Sequence, residues 1–409
     1  VGSEMCIRDS INNMPTLLQI NVTANWGSTG KIAEAIGQSA MKRGWNSYIA
    51  YGRKMTTSKS NLVKVGSKMD NYIHFAYNYL LDMEGRSSDR ATKALVRRIT
   101  EIKPDVVQLH NIHDHFLNYA ILFEYLNQTE IQVVWTFHDC WAFTGHCYHF
   151  VQQNCMKWQT ECGKCVQRNR FVDRSRENFL LKKSLFSKCK NLTIVPCSDW
   201  MSSLVKKSFL KDKRIEVIKN GVDLSVFKQT TSNTQSSPLN RPFRIIAVSN
   251  VWMAYKGELD IYKLREMLPK EEYKITMVGL STDQVKNLPA GIHGILRTQT
   301  AQELAQLYSE SDVLINPTYA DTFPTVNLEA LACGIPIITY RTGGASEAVD
   351  EKTGVVIEQG NVAALAKAII NLKEQPLSST ACRKRAEEHF DKNKCFDKYI
   401  DLYECLLNK

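Results

Sequence analysis

Asn316-Pro317-Thr318-Tyr319-Ala320-Asp321-Thr322-Phe323-Pro324-Thr325-Val326-Asn327-Leu328-Glu329-Ala330-Leu331-Ala332-Cys333-Gly334-Ile335-Pro336 is the stretch whose reading decides the fold. A β-branched apolar run ends at Asn316, a loop exposes Asp321, a helix opens near Pro324, Glu329 follows one turn in, and Gly334-x-Pro336 closes the helix. Another apolar run follows at once, so strand, helix and strand come in the order of a parallel α/β unit. The free N–H groups and positive end of such a helix suit a phosphate. Carboxylates on either side of it can accept hydrogen bonds from sugar hydroxyls. Asp321 taken alone also reads as an ordinary cap.

The same alternation extends outward through the chain. Short apolar runs at 17–22, 46–50, 106–109, 133–137 and 193–196, then at 244–248, 274–278, 313–316 and 335–339, are separated by longer amphipathic stretches. This predicts parallel sheets with helices on both faces. A chain of 409 residues exceeds what one core fills, so two doubly wound, Rossmann-like α/β domains of about 200 residues each are expected. The polar stretch 229–240 lacks periodicity and reads as a loop near the junction. The division drawn is 14–215 for the first domain and 216–385 for the second. The tail from Ala381 to Leu407 is helical by pattern, with Phe390, Phe396, Tyr399, Ile400 and Tyr403 as its apolar stripe, and 386–409 is expected to pack back on the first domain. Residues 1–13 contain no apolar signal core and read as a leader outside the native fold, with Met14 as the start.

Apolar residues make up 44% and charged residues 23%, and no run reaches the roughly 18 apolar residues of a membrane span. The net charge of +10 is uneven: 26 Lys and Arg face 15 Asp and Glu over 14–210, against 25 of each over 211–409. The basic half suits anionic headgroups or a phosphorylated acceptor, or is simply a solvated face. Nucleic acid is not expected, because the basic residues are dispersed and carry no recognition motif. Without a secretory signal, the twelve cysteines read as thiols or metal ligands in a cytoplasmic protein.

Four further groups carry chemistry. Trp26-Gly27-Ser28-Thr29-Gly30-Lys31 follows the first strand and opens a helix, where glycines let backbone approach a phosphate. It fits neither a Walker loop, which needs Gly at 25 and Ser or Thr at 32, nor a dinucleotide fingerprint, which needs a third glycine. His138 ends a strand in Trp135-Thr136-Phe137-His138-Asp139, and His110 and His113 form a second, weaker strand-end pair. Lys256-Gly257 follows another strand, and a lone Lys in such a place is by itself an ordinary solvated residue. Cys147, Cys155, Cys162 and Cys165 crowd an excursion at 140–168, and Cys162-Gly163-Lys164-Cys165 has the two-residue spacing that folds around a tetrahedral metal. Structural zinc, free thiols and disulfides are the three readings of that cluster.

These motifs, with Asn220-Gly221-Val222-Asp223 and a later Phe227, resemble the retaining GT-B glycosyltransferases of the group 1 or family 4 class across residues 16 to about 360. The class hallmark is two acids separated by seven residues before Gly-x-Pro, and Asp321 stands where the first is normally Glu. The resemblance implies two domains facing across a cleft, with 26–30 (Gly27, Ser28, Thr29, Gly30) toward the donor phosphates and Glu329 on the nucleotide ribose. It implies Asp321 and His138 at the donor sugar, and backbone N–H groups of the Pro324-Thr325-Val326 turn at the distal phosphate. Lys256 would hold the diphosphate, helped by Arg297 in place of a missing upstream Arg, and the loop with Arg297 and Thr298 would pack on the base.

The activity implied is transfer of a hexosyl unit from a UDP- or GDP-linked donor to a glycan or lipid-linked acceptor, with retention and without a catalytic metal or other cofactor. Cell-envelope polysaccharide assembly is the expected setting, with the basic half at the inner face of the cytoplasmic membrane. A nucleotide-sugar epimerase on the same architecture, a non-catalytic sugar-nucleotide or glycan-binding protein, and a nicotinamide oxidoreductase are the alternatives.

Overall fold

Strands buried on both faces need no polar alternation, and the apolar runs of this chain fold as such strands in two all-parallel sheets. The computed structural model describes residues 14–167, 172–230 and 241–408. The leader at 1–13, the end of the excursion at 168 and most of the polar loop at 229–240 lie outside the described residues.

The first sheet contains β1 (Thr16–Asn21), β2 (Asn46–Tyr51), β3 (Asn61–Lys64), β4 (Val106–Leu109), β5 (Gln132–Phe137), β6 (Leu192–Pro196) and β7 (Arg214–Ile215), in the order β3-β2-β1-β4-β5-β6-β7. Its helices are α1 (Gly27–Lys42), α2 (Lys68–Leu81), α3 (Asp89–Ile102), α4 (Tyr119–Leu126), α5 (Ser175–Lys188) and α6 (Asp199–Val205). The second sheet contains β8 (Phe243–Val248), β9 (Tyr273–Val278), β10 (Ile292–Ile295), β11 (Val313–Asn316), β12 (Ile337–Tyr340) and β13 (Gly354–Ile357), in the order β10-β9-β8-β11-β12-β13. Around it lie α7 (Glu258–Met267), α8 (Thr282–Lys286), α9 (Ala301–Ser309), α10 (Thr325–Ala332), α11 (Val362–Glu374) and α12 (Ser379–His389), and α13 (Lys392–Leu407) follows.

Four strands lie outside the runs read from the sequence: β3, β7, β10 and β13, the edges of both sheets. An edge strand has one unpaired side and is short and half-exposed, so its apolar signal is weak. The run expected at 335–339 starts its strand at Ile337, although the Pro336 carbonyl already accepts from Leu314 N at 3.0 Å. Proline has no N–H to give the ladder in return.

The tail expected as one helical stretch divides at Phe390-Asp391 because the chain changes domain there. Asp391 caps α13, its carboxylate accepting from Asn393 N at 2.9 Å. Two connections run side by side: Val222 N donates to Phe390 O at 2.7 Å, and Lys392 N donates to Val222 O at 3.1 Å. Gly221 admits this approach, since a Cβ there would lie 2.4 Å from Lys392 Cα.

Beyond the crossing, α13 lies on the first sheet. Phe396, Tyr399, Ile400 and Tyr403 pack with Leu17, Val106, Val134 and Val195 of the strands and Ile32, Ile36 and Ala40 of α1. The polar ends of its tyrosines are satisfied inside: Tyr403 OH donates to Gln108 Oε1 at 2.9 Å, and Tyr399 OH meets Thr136 Oγ1 at 3.1 Å. Arg43, after α1, pairs with Asp401 and Glu404 from the solvent side. Among the described residues no helix is long and apolar enough to cross a membrane. Because Tyr399 is 1% exposed, Tyr399→Ala is expected to cost about 3 kcal/mol of stability. Urea unfolding followed by fluorescence checks this, and a loss below about 1 kcal/mol would show that α13 is not part of the first domain's core.

Candidate active site

The loop after β11 is fixed from below before it presents any chemistry. Asn316 Nδ2 donates to Asn327 Oδ1 at 2.9 Å, and Asn327 Nδ2 donates to Ala345 O at 3.1 Å, tying the strand end to α10. Two glycines then bring backbone against this loop. Gly343, at φ +50°, would place a Cβ 1.8 Å from the Asp321 carbonyl, and Gly257, at φ +78°, would place one 2.1 Å from the Pro317 carbonyl. The second contact carries Lys256 to the loop, where its Nζ donates to Asp321 Oδ2 at 2.7 Å. Sequence positions 65 residues apart thus form one half-buried ion pair.

Glu329 sits one turn into α10, half-buried on the wall of an interdomain cavity of about 470 Å³. The protein packed around it pushes its carboxyl above the ordinary value, against the hydrogen bond from Tyr308 OH at 3.0 Å, the charge of Lys31 and the Thr325 hydroxyl. Thr325 and Val326 line the same cavity at the start of α10, where no side chain caps the helix. Arg297 and Thr298 line it from the second domain, Gly27, Ser28 and Lys31 from the first, and Asp223 and Lys392 at the crossing. Arg297 reaches over the Trp26 ring at 5.6 Å, joining the two walls.

Other candidates stand behind or beside this cavity. Thr29 accepts from Asn21 Nδ2 at 3.3 Å, and Gly30 is buried because a Cβ there would meet Thr23 Oγ1 at 2.6 Å. Pro324 is the buried N-cap of α10. His138, Asp321 and Lys256 do not line the cavity. Cys147, Cys155, Cys162 and Cys165 are not joined in disulfides and surround a separate cavity of about 260 Å³ in the excursion.

His138 belongs to a buried hydrogen-bond chain that no spacing in the sequence announces. Gln19 Nε2 lies 2.7 Å from the Ala33 carbonyl, which can only accept, so the Gln19 oxygen faces His110 Nε2 at 3.0 Å. His110 Nε2 must then carry the proton, leaving Nδ1 to accept from His138 Nε2 at 3.1 Å. His138 is held in one tautomer, with its Nδ1 lone pair left to accept from a hydroxyl. Burial drives the His138 pKa down to about 4 and that of His110 well below its ordinary value, so the pair is neutral near pH 7. Beside it, Asp139 accepts from His113 Nε2 at 2.8 Å. His149 of the excursion feels the charges of Asp139, Asp321 and Lys256, while its burial outweighs the two carboxylates and lowers its pKa. Gln19 and Tyr308 carry no signal in the sequence, and Lys31, Asp139 and His149 stand in or beside the motifs without a role of their own until the fold places them.

Two parallel-sheet domains meeting across a phosphate-suited cavity are the architecture of the GT-B glycosyltransferases, and solved structures of that class match over nearly the whole chain. Sucrose-phosphate synthase of Thermosynechococcus elongatus superposes with a TM-score of 0.74 at 17% identity, covering 96% of this chain and 99% of its own. HepE of Anabaena, solved in complex with UDP-glucose, superposes with a TM-score of 0.63 at 13% identity, covering 95% and 99%. In sequence, WcaC of Escherichia coli (strain K12), a glycosyl transferase named for colanic acid biosynthesis, is 23% identical over 95% of this chain and 100% of its own length. The family model of glycosyltransferase family 4 matches residues 33–226, and that of glycosyl transferases group 1 matches 229–389. The chain belongs to the group 1, family 4 glycosyltransferases and is a transferase enzyme.

The hydrogen-bond chain makes a test of its own. Gln19→Leu removes the acceptor that fixes both imidazoles, and is expected to lower kcat about tenfold or more, the equivalent of one hydrogen bond of about 1.4 kcal/mol. Donor KM should change little. Unchanged kcat in a folded Gln19→Leu enzyme would mean the tautomer is set elsewhere.

Proposed function

We propose that the enzyme transfers a hexosyl unit from a nucleotide-diphosphate sugar to a glycan or lipid-linked acceptor in polysaccharide assembly, with retention of configuration and without a catalytic metal. The observation that carries the reading is the cavity in which Glu329 and the uncapped start of α10 face the Gly27-Ser28 turn and Lys31 across the cleft. Glu329 would accept from the ribose hydroxyls, and the N–H groups at Thr325 and Val326 would receive the distal phosphate. Lys256 would meet the charge that builds on the leaving diphosphate, and Asp321 would turn to the sugar hydroxyls. His138, neutral and with its Nδ1 open, would accept from a hydroxyl of the same sugar. Retention then follows from acceptor attack on the face the diphosphate leaves, with the rate supplied by positioning and fixed charge. The complex of HepE with UDP-glucose makes UDP-linked hexoses the first donors to try, ahead of GDP-linked ones.

The acceptor reading rests on the first domain's surface. On α2, Met69, Tyr72, Ile73 and Leu80 fall at helical spacing on one face, with Tyr72 70% and Met69 66% exposed. Such an apolar stripe on a domain with a surplus of positive charge suits the headgroup region of an anionic bilayer. The similarity to WcaC supports a polysaccharide pathway as the setting.

Glu329→Gln keeps an acceptor for Tyr308 while removing the charge, so the fold should persist and donor KM should rise about 10- to 100-fold, as for loss of a charged hydrogen bond of about 1.5–3 kcal/mol. Steady-state kinetics over a series of UDP- and GDP-hexoses measure this, and a normal KM rules out the ribose role. For the surface, sedimentation with phosphatidylglycerol vesicles should carry the wild type down, and Tyr72→Ser with Ile73→Ser should leave it in the supernatant. Equal partition of the two proteins would remove α2 from the membrane reading.

A further inference from the structure

The excursion between β5 and α5 contains a cluster that the reaction does not use. Cys147 Sγ and Cys165 Sγ lie 4.0 Å apart, close to the S···S separation of about 3.8 Å that two ligands make on a tetrahedral zinc with Zn–S of about 2.3 Å. His146 joins them: one of its ring nitrogens and the two sulfurs are three ligand atoms within 4.8 Å of one another.

The histidine is oriented as a ligand. Its Nδ1 lies 3.0 and 3.1 Å from the two oxygens of Asp82, which is the buried C-cap of α2. The proton therefore sits on Nδ1, and the lone pair points from Nε2. That Nε2 is buried and has no hydrogen-bond partner. A carboxylate behind a histidine whose other nitrogen bears an unused lone pair is the arrangement that holds a zinc ligand in place. Asp82 is itself fixed, accepting from Arg174 N at 2.8 Å. Cys162 lines the same cavity, and its sulfur accepts from Gly145 N at 3.3 Å, as a coordinated thiolate does.

We propose that His146, Cys147 and Cys165, completed by Cys162, bind a zinc ion that clamps the excursion to the end of α2. Three thiolates and one imidazole in a closed tetrahedral set favour zinc over the harder cations. The site differs from the four-cysteine cluster read from the sequence, because His146 takes the place of Cys155. Its reach extends to the active site. Of the next residues along, Tyr148 is held within the first domain, its hydroxyl donating to Glu84, and His149 faces the second domain, its ring 6.5 Å from that of Tyr255, the neighbour of Lys256. A metal that fixes Cys147 thereby fixes where His149 stands. The site is independent of which sugar the enzyme transfers.

The test is metal analysis by mass spectrometry on the full chain purified without chelators. One zinc per chain is expected, with a strong chelator exposing three additional reactive thiols and lowering the melting temperature. Cys165→Ser and His146→Ala should lose the zinc, whereas Cys155→Ser and Cys405→Ser should keep it. Asp82→Asn should weaken zinc binding about 10- to 100-fold. Should the cysteine variants fail to fold, cobalt exchanged into the wild type should give the visible bands of a tetrahedral, thiolate-bound ion. Wild type that binds neither zinc nor cobalt, or in which the thiols prove to be disulfide-bonded, would overturn the site. Retention of zinc by both Cys165→Ser and His146→Ala would overturn the ligand set.

Discussion

The backbone hydrogen bonds between Val222 and the Phe390–Lys392 segment hold two chain crossings in register, and the cleft is built around that seam. One crossing delivers the chain to the second sheet, and the other returns it as α13. Asp223 and Lys392, paired with each other, line the cavity at the seam, so the crossing is also part of the site wall. A second tie lies along the cleft, where Glu347 of the second domain accepts from Asp199 N and Trp200 N at the start of α6 and pairs with Lys219. The Glu347 contacts and the paired backbones together hold the two domains across the cleft.

Charge inside the cleft is arranged in couples rather than as isolated groups. Lys256 is held by Asp321, and Glu329 is held by Tyr308. In the proposed reaction each couple would exchange a protein partner for a substrate partner, so donor binding replaces contacts instead of creating them from water. This lowers the reorganisation needed when diphosphate charge develops. The histidine pair follows the same economy, since Gln19 and the Ala33 carbonyl settle its protons before a substrate arrives.

The fold class was legible because buried parallel strands are continuous apolar runs, and β4, β5, β6 and β11 need no context to be recognised. The edge strands were not legible, because exposed polar residues such as Asn61 and Lys64 dilute the pattern. At the site, Asp321, Glu329 and Lys256 were readable from their places after strands and at a helix start. Gln19, Tyr308 and His149 were not. Gln19 lies in mid-strand and Tyr308 in the buried last turn of α9, positions that carry packing residues far more often than polar partners. His146 shows the same limit from the other side: its neighbour Cys147 was conspicuous, but the carboxylate behind it comes from Asp82, 64 residues earlier.

The return of α13 onto the first sheet also sets an order of events during synthesis. The second sheet and its helices form a contiguous run of sequence and can fold as soon as that run has emerged. The first domain, although made earlier, has only α1 over Leu17, Val106, Val134 and Val195 until residues 392–407 arrive to complete their cover. The half of the enzyme that is translated first is therefore the half that completes its core last, with part of one sheet face uncovered until α13 is made.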